Sequence, residues 1–143
     1  MGLAEERFRI VETALKDLVS GLGLARLVDA GVEPGRASYP RVRIIARRGS
    51  SQRHIVGSGL RLHNWVFEIV IETLSADYKE SYDEAVRIHW SIYDAILSDP
   101  SLGIRTFFVD AEPGVEYELS QTRNSRGEFG HMLVQTVSVR VEA

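Results

Sequence analysis

The sequence predicts an α+β fold: a mixed, mainly antiparallel sheet with two helices packed on one face. Three observations predict it. Leu62–Leu74 (LHNWVFEIVIETL) sets Trp65, Phe67, Ile69 and Ile71 on one side and Val66, Glu68, Val70 and Glu72 on the other, the period-two pattern of a strand. Ser81–Leu97 carries Tyr82, Val86, His89/Trp90, Tyr93 and Ile96/Leu97 at helical spacing, a stripe suited to cover the apolar side of that strand. The strands come in runs instead of alternating strictly with helices, which separates α+β from a doubly wound sheet.

The elements follow in order. Leu3–Ser20 reads as the first helix, with Phe8, Val11, Leu15 and Leu18 as its stripe and Glu5 and Glu6 at the positive end of the macrodipole. Gly21 and Gly23 close it, and a short extended piece is expected at Leu24–Asp29 before the turn residues Gly31, Pro34 and Gly35. Tyr39-Pro40 opens a strand at Arg41–Arg47, since proline is tolerated at a strand's first position. Val42, Ile44 and Ala46 take one face of it, and Arg41, Arg43 and Arg47 the other. Paired with Leu62–Leu74, this strand sets Arg41 and Arg43 near Glu68 and Glu72, in the same subunit or the next. Between the two strands, Arg48–Arg61 (RGSSQRHIVGSGLR) is expected as a long flexible loop.

Ser81 as N-cap and Glu84 three residues on form a capping box for the second helix, and Asp99-Pro100 stops it. Strands are expected at Ile104–Val109 and around Val115–Leu119. A second flexible loop follows at Gln121–Gly130, and the closing strand Met132–Val141 turns Leu133, Val137, Val139 and Val141 to one face. No internal repeat or linker divides the chain, so residues 1–143 are expected as a single domain with long loops at about 48–61 and 121–130.

Composition narrows the chemistry. A chain with 44% hydrophobic and 26% charged residues suits an ordinary globular protein, and the lack of cysteine removes disulfides, thiolate metal sites and thiol catalysis. The opening residues are acidic and amphipathic, unlike a signal peptide. No apolar run reaches membrane-spanning length, so no membrane partner is expected. The net charge of −3 hides a segregation: seven arginines and no acid lie between Arg36 and Phe67, then twelve acids against Lys79, Arg87 and Arg105 lie between Glu68 and Glu118. Such polarity suits steering of a nucleic acid or the meeting of unlike patches on neighbouring copies.

Catalytic and metal patterns do not assemble. His54, His63, His89 and His131 are not paired at ligand spacing, and His89 belongs to the helical stripe. His54 and His131 fall in or beside the two loops. No serine sits in a nucleophile elbow, and Gly49, Gly57 and Gly59 precede a strand instead of opening a helix, as a phosphate loop does. No enzyme activity and no cofactor is expected. The candidate interaction residues are Arg47, Arg48, Arg53, His54 and Arg61 around the first loop and Arg123 and Arg126 in the second. They would serve a nucleic-acid-binding module, although base-stacking aromatics are absent from the first loop and Phe129 stands alone in the second.

The order of elements carries a resemblance, together with Tyr39-Pro40, the strand WVFEIVIET and the stretch DAILSDPSLGI. It resembles the tail terminator and tail completion proteins of long-tailed bacteriophages, prophages and phage-like particles. There a tyrosine-proline strand opening precedes the long loop. A turn like Leu97-Ser98-Asp99-Pro100-Ser101-Leu102-Gly103 follows the second helix, and Ile104 replaces a second glycine often found there. The resemblance implies a structural virion subunit, assembled in the host cytoplasm, that forms a hexameric ring and terminates the tail tube. Its implied partners are further copies, the major tail tube protein and head–tail connector proteins, with DNA passing through the lumen. It also implies that the loops at 48–61 and 121–130 project toward the lumen or neighbouring rings. Other small head–tail connector rings share this layout.

Overall fold

The computed structural model describes residues 2–30, 38–53 and 59–143. The elements are α1 (Leu3–Gly21), β1 (Leu27–Ala30), β2 (Arg41–Arg53), β3 (Arg61–Ser75), α2 (Tyr78–Ser98), β4 (Val109–Arg123) and β5 (Phe129–Glu142). They form one five-stranded sheet in the order β1-β2-β3-β5-β4. β1 runs parallel to β2 and every other pair is antiparallel, which is the mixed, mainly antiparallel α+β arrangement expected. No helix among the described residues is long and apolar enough to cross a membrane.

The central strand follows its alternation. Phe67, Ile69 and Ile71 are fully buried in a single cluster with Val11, Leu15 and Val19 of α1 and Ile88, Ile92 and Ile96 of α2. Phe8 reaches in from α1 to meet Trp65 edge-on at 5.2 Å and to stack on Phe67 at 5.6 Å. Leu133, Val137, Val139 and Val141 of β5 complete the floor of the core. Each large aliphatic side chain removed from water contributes about 1.5–3 kcal/mol, so this shared face is the main source of stability.

α2 begins earlier than the capping box suggests. Asp77 is the N-cap, its carboxylate accepting the Lys79 N–H at 2.9 Å. Ser81 lies one turn inside the helix and is buried. Its hydroxyl sits 2.9 Å from Thr73 Oγ1 and 2.8 Å from His131 Nδ1. A hydroxyl that ties the helix to both β3 and β5 is unavailable to cap. The helix ends at Ser98, ahead of Asp99-Pro100.

Three other boundaries differ from the sequence reading. β2 does not stop at Arg47; it continues through Gly49, Ser50 and Ser51, opposite Trp65, Asn64 and His63, to a last pair Arg53↔Arg61. Residues 48–53 are therefore ladder, not loop. At the other end, 121–123 and 129–130 are strand, leaving 124–128 as the turn. No strand forms at Ile104–Phe108: that stretch follows turns in which Leu102 (φ 55°) and Gly103 (φ 74°) adopt left-handed backbone. A single long strand, β4, then starts at Val109. Because β3 and β4 run parallel with β5 between them, α2 acts as a crossover that carries the chain to the far edge of the sheet.

Candidate assembly surface

With both helices on one face, the other face of the sheet shows a charged lattice. Arg41 stands directly opposite Glu72 and donates to Glu72 Oε2 at 2.8 Å; Arg43 reaches Glu72 Oε1 from the diagonal position at 2.8 Å. Arg47 pairs with Glu68. Arg41 and Arg43 therefore both meet Glu72 within one chain, whereas Glu68, also expected beside them, is paired with Arg47. Ile45, Val66 and Val70 are buried on this face, outside the helix-side core, lying among those ion pairs. Arg41 also lies over the Tyr39 ring at 5.0 Å.

The remaining candidate arginines separate into two groups. Arg48 follows an irregularity in the β2–β3 register between Ala46 and Arg48, and it faces Val66 while staying exposed. Arg61 closes the same end of the ladder, its backbone exchanging hydrogen bonds with Ala143 at 3.0 and 2.9 Å. Arg53 is its cross-strand partner; His54 lies outside the described residues. Arg123 and Arg126 belong to the opposite end of the sheet, where Phe129 pairs with Ser75. There Arg123 lies over the Phe129 ring at 5.0 Å and donates to the Gly127 carbonyl at 3.4 Å. In the same turn the Arg126 N–H donates to Asn124 Oδ1. The two groups sit toward opposite ends of β3, roughly 30–45 Å apart by strand rise. They do not converge on one groove.

Two of the histidines, His89 and His131, are buried within the fold. His131 is not in a loop but in β5, buried, with its Nδ1 on Ser81 and the Tyr78 ring 4.8 Å away. Burial pushes its pKa below the ordinary imidazole value. His89 is likewise buried and likewise lowered by burial, with the Gln135 side chain opposing the shift. Among the described residues no group of acids and histidines is placed to hold a metal ion.

The sequence reading missed a surface. Trp90 and Tyr93, both assigned to the core-facing stripe, stand with Tyr117 of β4 at the helix-side rim of the sheet. The Trp90 ring lies 5.2 Å from Tyr93 and 6.2 Å from Tyr117, and the His89 ring lies 4.8 Å from Tyr117. Trp90 and Tyr117 remain 44% and 49% exposed. Beside them β4 loses register with β5 between Pro113 and Tyr117, and the bulge holds Val115 at 87% exposure. Only the neighbourhood of α2 and β4 creates this shelf, so no local pattern announces it.

The chain matches no known protein family pattern, and no curated protein matches it. Among solved structures it is similar to a chain of the "Virion of native gene transfer agent (GTA) particle", at 15% identity and a TM-score of 0.56. The likeness covers 88% of this chain and 84% of that one. At that identity it is the fold that the two chains share, nearly end to end.

Proposed function

We propose that the protein is a structural, non-catalytic virion subunit that assembles into a ring, terminates a phage-type tail tube and joins it to the head-side connector. The observation that carries this reading is the correspondence of fold, over 88% of this chain and 84% of the other, with a chain of a gene transfer agent virion, a phage-like particle. It agrees with the resemblance seen in Tyr39-Pro40 and in Leu97–Gly103. The charge layout supports it: the exposed Arg48 of β2 and Arg61 of β3 stand across β5 from the exposed Glu116 and Glu118 of β4, an arrangement that favours head-to-tail contact between copies and closure into a ring. A nucleic-acid module is the weaker reading. Arg41, Arg43 and Arg47 are already neutralised by Glu72 and Glu68, and the two arginine groups occupy opposite ends of β3.

Native mass spectrometry and electron microscopy of the purified protein test the reading. Six-membered rings that bind the end of a tail tube and halt its growth are the expected result. A monomer at high concentration that leaves tube length unchanged rejects it.

A further inference from the structure

The sheet offers β4 as a long edge, and the two halves of that edge differ. The first half is closed to further pairing. Pro113 has no N–H, and the Ala111 N–H already donates to the Pro100 carbonyl at 2.7 Å. The second half has neither device. From Tyr117↔Gln135 to Arg123↔Phe129 its register with β5 is regular, and among the described residues no strand lies beyond it. Proteins normally blunt such an edge, because its free backbone groups invite another strand. Here the shelf of Trp90, Tyr93 and Tyr117 runs along the helix side of this edge, while Glu118, next to Tyr117 in the regular strand, turns to the opposite face; Glu116 and Glu118 are exposed without an ion pair among the described residues. The edge thus offers aromatic faces on one side and carboxylates on the other, and each is suited to take up a guanidinium group.

The geometry points to a second copy of this chain as the occupant, docking the arginine-bearing β2–β3 ladder against the Tyr117–Arg123 edge and its aromatic shelf. Arg48 and Arg61 are exposed and carry no ion pair among the described residues. Within one chain β3 and β5 stand between β2 and β4, a separation of about 14 Å across three strand spacings. The basic ladder therefore lies away from its own shelf and is free to meet a neighbour's. Unlike patches on opposite edges make a heterologous contact, which repeats from copy to copy and closes if the rotation allows. The inference rests on the ring reading and adds which surfaces meet.

The chain has no cysteine, so single Ser50→Cys and Glu118→Cys variants mark the two patches on a clean background. Treated with a short bis-maleimide, an equal mixture should give cross-linked dimers, and each variant alone should give none. Cross-linking within either variant alone overturns the contact, because it reports like meeting like. So do rings in which the mixture stays uncross-linked, an outcome that leaves the ring reading standing. A protein that never leaves the monomer removes both. Should a cysteine variant fail to fold, charge reversal reads the same contact. Glu118→Arg should raise the concentration needed for half-assembly roughly tenfold or more, and adding Arg48→Glu to the same chain should bring it back.

Discussion

At position 72 one carboxylate answers two guanidinium groups, and at position 131 a neutral imidazole is locked under two tyrosines. The first arrangement was legible in the sequence, because strict alternation puts Arg41, Arg43 and Glu72 on one face of paired strands. The second was not. The proximity of His131 to Ser81 spans fifty positions of chain and depends on how α2 lies across β5. Its consequence is a dependence of stability on pH. Burial lowers the folded pKa of His131, and of His89, below the unfolded value near 6.5. As pH falls below about 6.5, the unfolded chain binds protons that the folded chain resists. This contribution to stability is thus fully present above that pH and is lost on acidification. The urea midpoint should fall on going from about pH 7.5 to about pH 5. In His131→Gln that fall should be smaller than in the parent, and equal slopes in the two proteins would contradict it.

At the scale of elements, the sequence located both helices and the long strands but misplaced their ends. Gly49, Ser50 and Ser51 have loop composition, and they are strand because β3 supplies the ladder opposite them. Likewise Ser81 and Glu84 spell a capping box, yet Asp77 caps because Ser81 has better-placed buried partners in Thr73 and His131. The β4 bulge makes a sharper test of element geometry. A Cβ at Gly114 would lie 2.5 Å from Thr136 Oγ1 and 3.1 Å from the Thr136 carbonyl oxygen, too close for the strands to keep their spacing. Gly114→Ala should therefore destabilise the fold by about 1–3 kcal/mol. At Gly21, the last residue of α1, nothing lies within 4 Å of the added carbon and φ is not positive. Gly21→Ala should be neutral or stabilising by up to about 1 kcal/mol. Paired denaturant titrations decide it; a harmless Gly114→Ala would mean that the bulge is not tightly packed.

At the scale of the molecule, charge is arranged in bulk: β2 is basic, with Arg41, Arg43 and Arg47 paired to Glu72 and Glu68 of β3 and Arg48 exposed beyond them, and β4 at the far edge carries exposed Glu116 and Glu118. Assembly that joins such edges should weaken as salt rises, since exposed charges are screened beyond about 8 Å at physiological ionic strength. It should not vanish, because Trp90 and Tyr117 supply apolar area that salt does not screen. Sedimentation at low and high salt measures this, and an assembly constant independent of salt would place the contact elsewhere. The charge segregation was plain in the sequence. The strand order that gives it spatial meaning was not, because α2 lifts β4 past β5 to the rim.

That crossover also sets a schedule. β3 pairs with β5 along its whole length, from Leu62↔Glu142 to Ser75↔Phe129, and β4 joins the sheet only through β5. While a chain is being synthesised, β4 emerges before the strand it must lean on, and the Tyr117–Arg123 edge cannot be presented until β5 has docked. Long-range pairing of this kind forms late. A neighbouring copy that docks there would thus recognise only chains whose sheet is finished, and such docking would act as a proofreading step for folding.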